Sequence, residues 1–169
     1  LHHVLIRSGF KSGEIMVILA TRDGKFEQKN NFVKDLVALH PQITSIVQTV
    51  GKSEKLVLGK TQKVIFGKTY IEDILCGLRF KISANSFYQV NPAQTELLYE
   101  KAIQCAKLTG KETVIDAYCG TGTIGIIASK YAKEVLGVEL NKDAIRDAVT
   151  NAKRNEIKNI RFVNEEAGK

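Results

Sequence analysis

Short apolar runs and helical repeats follow one another along the chain in an order that separates two halves. Val4 to Ile6 and Ile15 to Leu19 are rich in branched residues and are split by Gly9 and Gly13, which predicts a hairpin closed by a loose turn. Asp23-Gly24 breaks the chain. Phe32, Val33, Leu36, Val37 and His40 then recur at helical spacing, and Pro41 ends that helix. From Ile43 to Ser83 the sequence reads as short strands, ITSIVQTV, KLVLG, KVIFG, YIEDIL and LRFKIS, punctuated by Gly51, Gly59, Gly67 and Gly77. Residues 1–85 thus predict an α+β, β-rich region of antiparallel character, with Glu72 and Asp73 as surface charges and no catalytic constellation.

The second half changes period. Asn91 is a good N-cap, Pro92 suits the first helical position, and Gln94 can reach back toward the cap. Leu97, Leu98, Ala102, Ile103 and Ala106 form one apolar face of that helix, and Gly110 closes it. Val114 and Ile115 begin a short strand that carries Asp116 and breaks into Gly120, Thr121 and Gly122. A helix built on Ile124, Ile126, Ile127, Ala128 and Ala132 follows, then the strand VLGVEL at Val135 to Leu140. Asn141 caps a further helix with a buried face of Ala144, Ile145, Ala148, Val149 and Ala152, and Ile160 to Val163 reads as a third strand. This alternation predicts an α/β fold over residues 86–169, the N-terminal part of a Rossmann-like parallel sheet.

Composition narrows the class. The 169 residues are 44% apolar, ordinary for a globular protein. No run approaches the roughly 20 apolar residues of a membrane span, and LHHVLIRSGF lacks the form of a signal peptide, so a cytoplasmic protein is the default. Cys76, Cys105 and Cys119 form neither a disulfide framework nor a metal motif, and His2, His3 and His40 are equally uninformative. The net charge of +7 is uneven: residues 1–85 hold 13 Lys and Arg against 7 Asp and Glu, leaving +6 there and +1 in the remainder. Lys52, Lys55, Lys60, Lys63, Lys68, Arg79 and Lys81 would attract a phosphate backbone, and a solvated basic surface is the plainer alternative.

Chemistry concentrates at the glycine turn. Gly120 and Gly122 suit a backbone that takes left-handed conformations and lets a bulky cofactor approach its N–H groups. Glu139, at the tip of the next strand, is placed to accept hydrogen bonds from the two hydroxyls of an adenosine ribose. Gly120, Gly122 and Gly125 also satisfy G-x-G-x-x-G, so a dinucleotide is one reading. Asp116 favours S-adenosylmethionine instead. A carboxylate four residues ahead of the first glycine suits the cationic methionine end of that cofactor and would repel a pyrophosphate.

SFYQVNPAQTELLY, VIDAYCGTGTIGI and GVELNKDAIRDAVTNAKRN together resemble the RNA uracil-5-methyltransferase family, in particular its Gram-positive 23S ribosomal RNA branch. LVLG, IEDIL and GLRFKISANSFYQ are similar to the central region of that family, so the resemblance covers most of the chain. It implies that Gln89 contacts the methionine part of S-adenosyl-L-methionine, that Tyr118 lines the cofactor, that Glu139 binds the ribose, and that Gly120 and Gly122 give close backbone approach. Thr123 matches a position that touches the cofactor in some members. The plainer readings are a buried aromatic for Tyr118, a helix-cap acid for Glu139, and a bridge that packs Phe87 and Tyr88 into the core.

In that family a cysteine thiolate adds to carbon 6 of uracil, carbon 5 attacks the sulfonium methyl, and a carboxylate removes the remaining proton. The segment that carries those groups, after an Asp-Pro-Pro stretch, has no match here, so no residue is assigned as catalytic. Cys119 reads as a small buried hydrophobe. No cysteine cluster for an iron–sulfur centre and no N-terminal RNA-binding barrel is found. The chain thus reads as an internal fragment, inert alone and binding the cofactor weakly if at all, whose first parallel strand leaves an open edge for another chain or a rearranged segment. The alternatives are a transfer RNA enzyme, a small-molecule methyltransferase, a nicotinamide-dependent oxidoreductase, and a non-catalytic RNA-binding module with a vestigial nucleotide fold.

Overall fold

The computed structural model describes residues 1–51, 58–59 and 61–168. The expected strand KLVLG falls largely outside them, as do Lys52, Lys55 and Lys60. The chain divides into two compact units, Leu1–Asp73 with Ser83–Asn85, and Ile74–Ile82 with Ser86–Lys169. Residues 74–82 thus cluster with the second unit, whereas the sequence reading grouped them with the first.

The first unit is built on a four-stranded sheet in the order β1 (His3–Ser8), β2 (Ile15–Thr21), β3 (Ile43–Val50), β4 (Thr61–Gly67). β1 pairs antiparallel with β2, and β4 antiparallel with β3. β2 and β3 are parallel, and the expectation of purely antiparallel pairing is corrected at that point. The reason is α1 (Lys29–Leu39), a crossover that returns the chain to the same end of the sheet. Phe32, Val33, Leu36 and Val37 of this helix pack on Val17, Leu19, Ile43 and Ile46. Asp73 is buried rather than a surface charge: its Oδ1 accepts the N–H groups of Lys11 and Ser12 at 2.8 and 3.3 Å, which fixes the β1–β2 turn.

The second unit holds the parallel sheet β7 (Thr113–Ala117), β8 (Glu134–Val138), β9 (Ile160–Val163), in that order and in register. α3 (Thr123–Ala128) and α4 (Lys142–Arg154) are its two crossovers. β5 (Tyr70–Leu75) and β6 (Leu78–Ser83) make a two-stranded sheet. Cys76 and Gly77 turn between them at φ 49° and 74°, the left-handed pair a two-residue hairpin needs. Leu75, Leu78, Phe80, Tyr99, Ile126, Ile127 and Ala152 form the core. This is a parallel α/β sheet with two crossover helices, preceded by a mixed α+β unit, as the residue pattern predicts.

Two helix faces differ from expectation. α2 (Pro92–Ala106) buries Thr95 and Tyr99 and half-buries Ile103, at i, i+4 and i+8, while Leu97, Leu98, Ala102 and Ala106 are exposed. Its cap is as expected, with Asn91 Oδ1 accepting the Gln94 N–H at 3.1 Å. The helix ends at Lys107 in the left-handed region, three residues ahead of Gly110. α4 buries Asp147, Ala148, Asn151 and Ala152 and leaves Val149 exposed.

Candidate functional site

After β7 the chain cannot continue straight, because Tyr118, Gly120 and Gly122 take φ of 61°, 56° and 79°. The glycines do this without steric cost. Tyr118 does not, and a 75% exposed aromatic residue in the left-handed region is a local strain of the kind that gathers at functional loops. Its exposure excludes the reading of a buried aromatic. The turn is tied to β8 by the Cys119 N–H donating to the Val138 carbonyl at 3.0 Å, and closed on itself by the Gly122 N–H donating to the Cys119 carbonyl at 2.8 Å.

Glu139 follows β8, one strand over from the turn. Its Oε2 accepts the Gly120 N–H at 3.1 Å and its Oε1 accepts the Asn141 N–H at 2.8 Å, so the helix-cap reading is partly realised. Asn164 donates to the carbonyls of Glu139 and Leu140 at 2.9 and 2.7 Å and holds that strand tip in place. Nothing in the sequence had marked Asn164; an asparagine just past a strand is the one signal available.

Asp116 does something other than wait for a cation. Gly122, the N-cap of α3, has no side chain, and Asp116 Oδ2 supplies the missing acceptor by taking the Gly125 N–H at 2.9 Å. A Cβ on Gly125 would lie 2.7 Å from that oxygen, so glycine is required there. Burial pushes the Asp116 carboxyl up to about 6, against the opposing pull of the Gly125 hydrogen bond. Cys119 is buried, and burial with the nearby negative charges of Asp116 and Glu139 pushes its thiol up to about 12. Such a thiol is not a nucleophile at neutral pH.

The structure joins Gly120, Gly122, Cys119 and Glu139 directly. Gln89 is half-buried in the segment ahead of α2 and Tyr118 is exposed, both outside that hydrogen-bonded set. Thr123, at the first turn of α3, is 3.2 Å from the Tyr99 hydroxyl on α2. Of the aromatic pair before α2, Tyr88 packs on the core whereas Phe87 is 73% exposed, so the bridge reading is corrected for Phe87. Among the described basic residues, Lys63 and Arg79 are exposed, Lys68 pairs with Glu14 at 3.5 Å, and Lys81 turns inward to Asp147 at 2.7 Å. Among the described residues, no helix is long and apolar enough to cross a membrane and no group of three or more His, Cys, Asp and Glu is placed to hold a metal.

The profile of the tRNA (uracil-5-)-methyltransferase family matches residues 10–168. An uncharacterized RNA methyltransferase of Enterococcus faecalis is 44% identical over 163 residues, 96% of this chain and 36% of that protein. One from Listeria monocytogenes is 46% identical over the same shares. The chain therefore spans about a third of the length of these relatives. Among solved structures, the Pyrococcus abyssi tRNA (uracil-54, C5)-methyltransferase in complex with S-adenosyl-L-homocysteine is similar at TM-score 0.78 and 28% identity, over 95% of this chain and 38% of that one. A Methanocaldococcus jannaschii tRNA m1G37 methyltransferase shares the fold at TM-score 0.57 and 19% identity, over 96% and 49% of the two chains.

Proposed function

The chain belongs to the tRNA (uracil-5-)-methyltransferase family, and from that premise we propose that it is the part of an RNA uracil-5-methyltransferase that holds S-adenosyl-L-methionine at the carboxyl ends of β7 and β8. The observation that carries this reading is the placement of two carboxylates. Asp116 takes the Gly125 N–H in the first turn of α3, beside which a dinucleotide would need to set its pyrophosphate, and Glu139 stands at the tip of the adjacent strand. An adenosyl nucleoside without phosphate suits that pair, and a dinucleotide does not. The turn has room for it, since nothing lies within 4 Å of where a Cβ on Gly120 would sit.

When bound, the cofactor supplies a methyl group on a sulfonium centre. The chain's own contribution is to bind and orient: Glu139 accepts the ribose hydroxyls, Gly120 and Gly122 let the nucleoside approach the backbone, Tyr118 covers it, and Gln89 meets the methionine end. Cys119 takes no chemical part, because its thiol stays protonated. The isolated chain accordingly transfers no methyl group to uridine-containing RNA, and any transfer detected with radiolabelled cofactor sinks that statement. The open edge of β7 is a pairing surface, and in the isolated chain a second copy takes it.

The substrate we propose is a uridine of 23S ribosomal RNA, in the cytoplasm, with the basic first unit facing the RNA. The similarity to a tRNA (uracil-54) enzyme favours transfer RNA as the second reading. Incubating the full-length protein with each RNA separately, and locating the methylated base, decides between them. The cofactor is tested in the full-length protein by thermal shift. S-adenosylhomocysteine raises the melting temperature and NAD does not; the reverse result would falsify the assignment.

A further inference from the structure

α4 carries an unexpected polar stripe. Asp147, Asn151 and Asn155 lie at i, i+4 and i+8, on the face turned toward β6. Asn155 treats β6 as a strand neighbour would: its Oδ1 accepts the Arg79 N–H at 2.9 Å and its Nδ2 donates to the Arg79 carbonyl at 2.7 Å. Asn151 accepts the Lys81 N–H at 2.7 Å, and Asp147 Oδ1 takes the Lys81 Nζ at 2.7 Å. The two asparagine amides thus satisfy backbone groups along β6 in place of a strand, and Asp147 pairs with the Lys81 ammonium.

Asn151 reaches the turn as well. Its Nδ2 donates to the Thr121 carbonyl at 3.1 Å, and Thr121 lies between the two left-handed glycines of the turn. Asn151 is 0% exposed and Thr121 5%, so neither group has water as an alternative partner. The same helix face limits the turn sterically: a Cβ on Gly122 would lie 3.1 Å from Ala148 Cβ and 3.0 Å from the Phe162 ring.

We propose that Asn151 is a positioning residue for the cofactor turn, fixing the Thr121 peptide so that Gly120 presents its N–H to Glu139, and that through Asn151 the β6 strand and the cofactor site are ordered as one body. The proposal rests on the S-adenosyl-L-methionine reading above for its functional consequence, but its structural part stands without any cofactor. A buried asparagine whose amide served only packing would make its bonds within one element. This one spans three, β6, α4 and the turn after β7.

The test is an amide NMR titration of the full-length protein with S-adenosylhomocysteine, which reads affinity and the state of the turn together. Three variants are compared. Asn151→Ala removes both bonds. Asn151→Asp keeps the acceptor for Lys81 and replaces the donor to Thr121 with a charged oxygen that faces its carbonyl. Asn155→Ala removes a neighbouring rung that does not touch the turn. The expected result is that both Asn151 variants shift the Gly120 and Gly122 amide resonances, speed their hydrogen exchange tenfold or more, and weaken S-adenosylhomocysteine at least tenfold. Asn155→Ala lowers the melting temperature but leaves the turn amides and the affinity within twofold. Unchanged turn amides in a folded Asn151→Asp protein overturn the proposal, as does an equal effect from Asn155→Ala. If the unaltered full-length protein takes no S-adenosylhomocysteine, the cofactor reading fails, and the exchange rates still decide whether Asn151 holds the turn.

Discussion

Glu139 Oε2 lies 3.1 Å from the amide nitrogen of Gly120, which ties the tip of one parallel strand to the turn that leaves the next. The carboxylate therefore holds the turn by itself, and a ribose bound there, as proposed, would meet a group that is already oriented. Glu139→Gln keeps the size but replaces one acceptor oxygen with a donor that faces the Gly120 or Asn141 N–H. We expect S-adenosylhomocysteine to bind at least about tenfold more weakly, on the order of 1.4 kcal/mol, with a fall of only a few degrees in melting temperature. Calorimetric titration that finds unchanged affinity removes Glu139 from the ribose site.

Asp116 gives a pH signature. Its folded value of about 6 lies above the ordinary 3.8, so folding favours the protonated form. The stability this brings is complete below about pH 4 and is lost as pH rises through 6. At neutral pH the ionised carboxylate costs on the order of 1–3 kcal/mol. Asp116→Asn keeps an oxygen for the Gly125 N–H and carries no charge. It should be more stable than the parent in urea at pH 7.5, with the difference vanishing by pH 4; an Asn variant less stable at pH 7.5 contradicts the sign.

Gly137 faces the Phe162 ring and the Cys119 sulfur, with 2.5 and 3.1 Å from its virtual Cβ to their nearest atoms. Both partners are held by the sheet, so neither can move away cheaply. Gly137→Ala should cost about 1–3 kcal/mol by overpacking, read as a lower urea midpoint with an unchanged slope.

In the first unit, Asp73→Ala leaves the Lys11 and Ser12 N–H groups without their acceptor. A loss of about 1–3 kcal/mol is expected, together with faster hydrogen exchange over residues 9–14. Exchange that rises evenly over the whole unit instead shows that Asp73 is not a local clamp.

What the sequence made legible is what period and spacing encode. The β7 turn, the α4 cap at Asn141 and the Glu139 position depend on residues near one another in the chain, and the structure places each as the pattern suggests. Asp73 was misread because its partners lie about sixty residues away. The parallel β2–β3 pair escaped because a strand, an eleven-residue helix and a strand were taken as separate pieces rather than as a crossover. Asp147, Asn151 and Asn155 were passed over because a helix face was counted by its apolar residues alone, and here polar side chains dock it.

α2 supplies the last case, and it bears on assembly. Its apolar side chains Ala102, Ile103 and Ala106 line a groove of about 310 Å³ with Val114, Ile115 and Ile124, along the edge of β7 that has no strand partner among the described residues. Ile115 is 66% exposed, with Leu97 and Leu98 of the same helix at 59% and 62%. Unpaired N–H and C=O groups beside apolar side chains favour strand addition, and the isolated chain should self-associate through this edge. Sedimentation velocity at rising concentration should show a dimer that Ile115→Lys returns to monomer, while Phe10→Lys, an exposed position of the first unit, leaves it intact. A chain that stays monomeric at every concentration, with β7 amides exchanging freely, shows instead that the edge is tolerated bare.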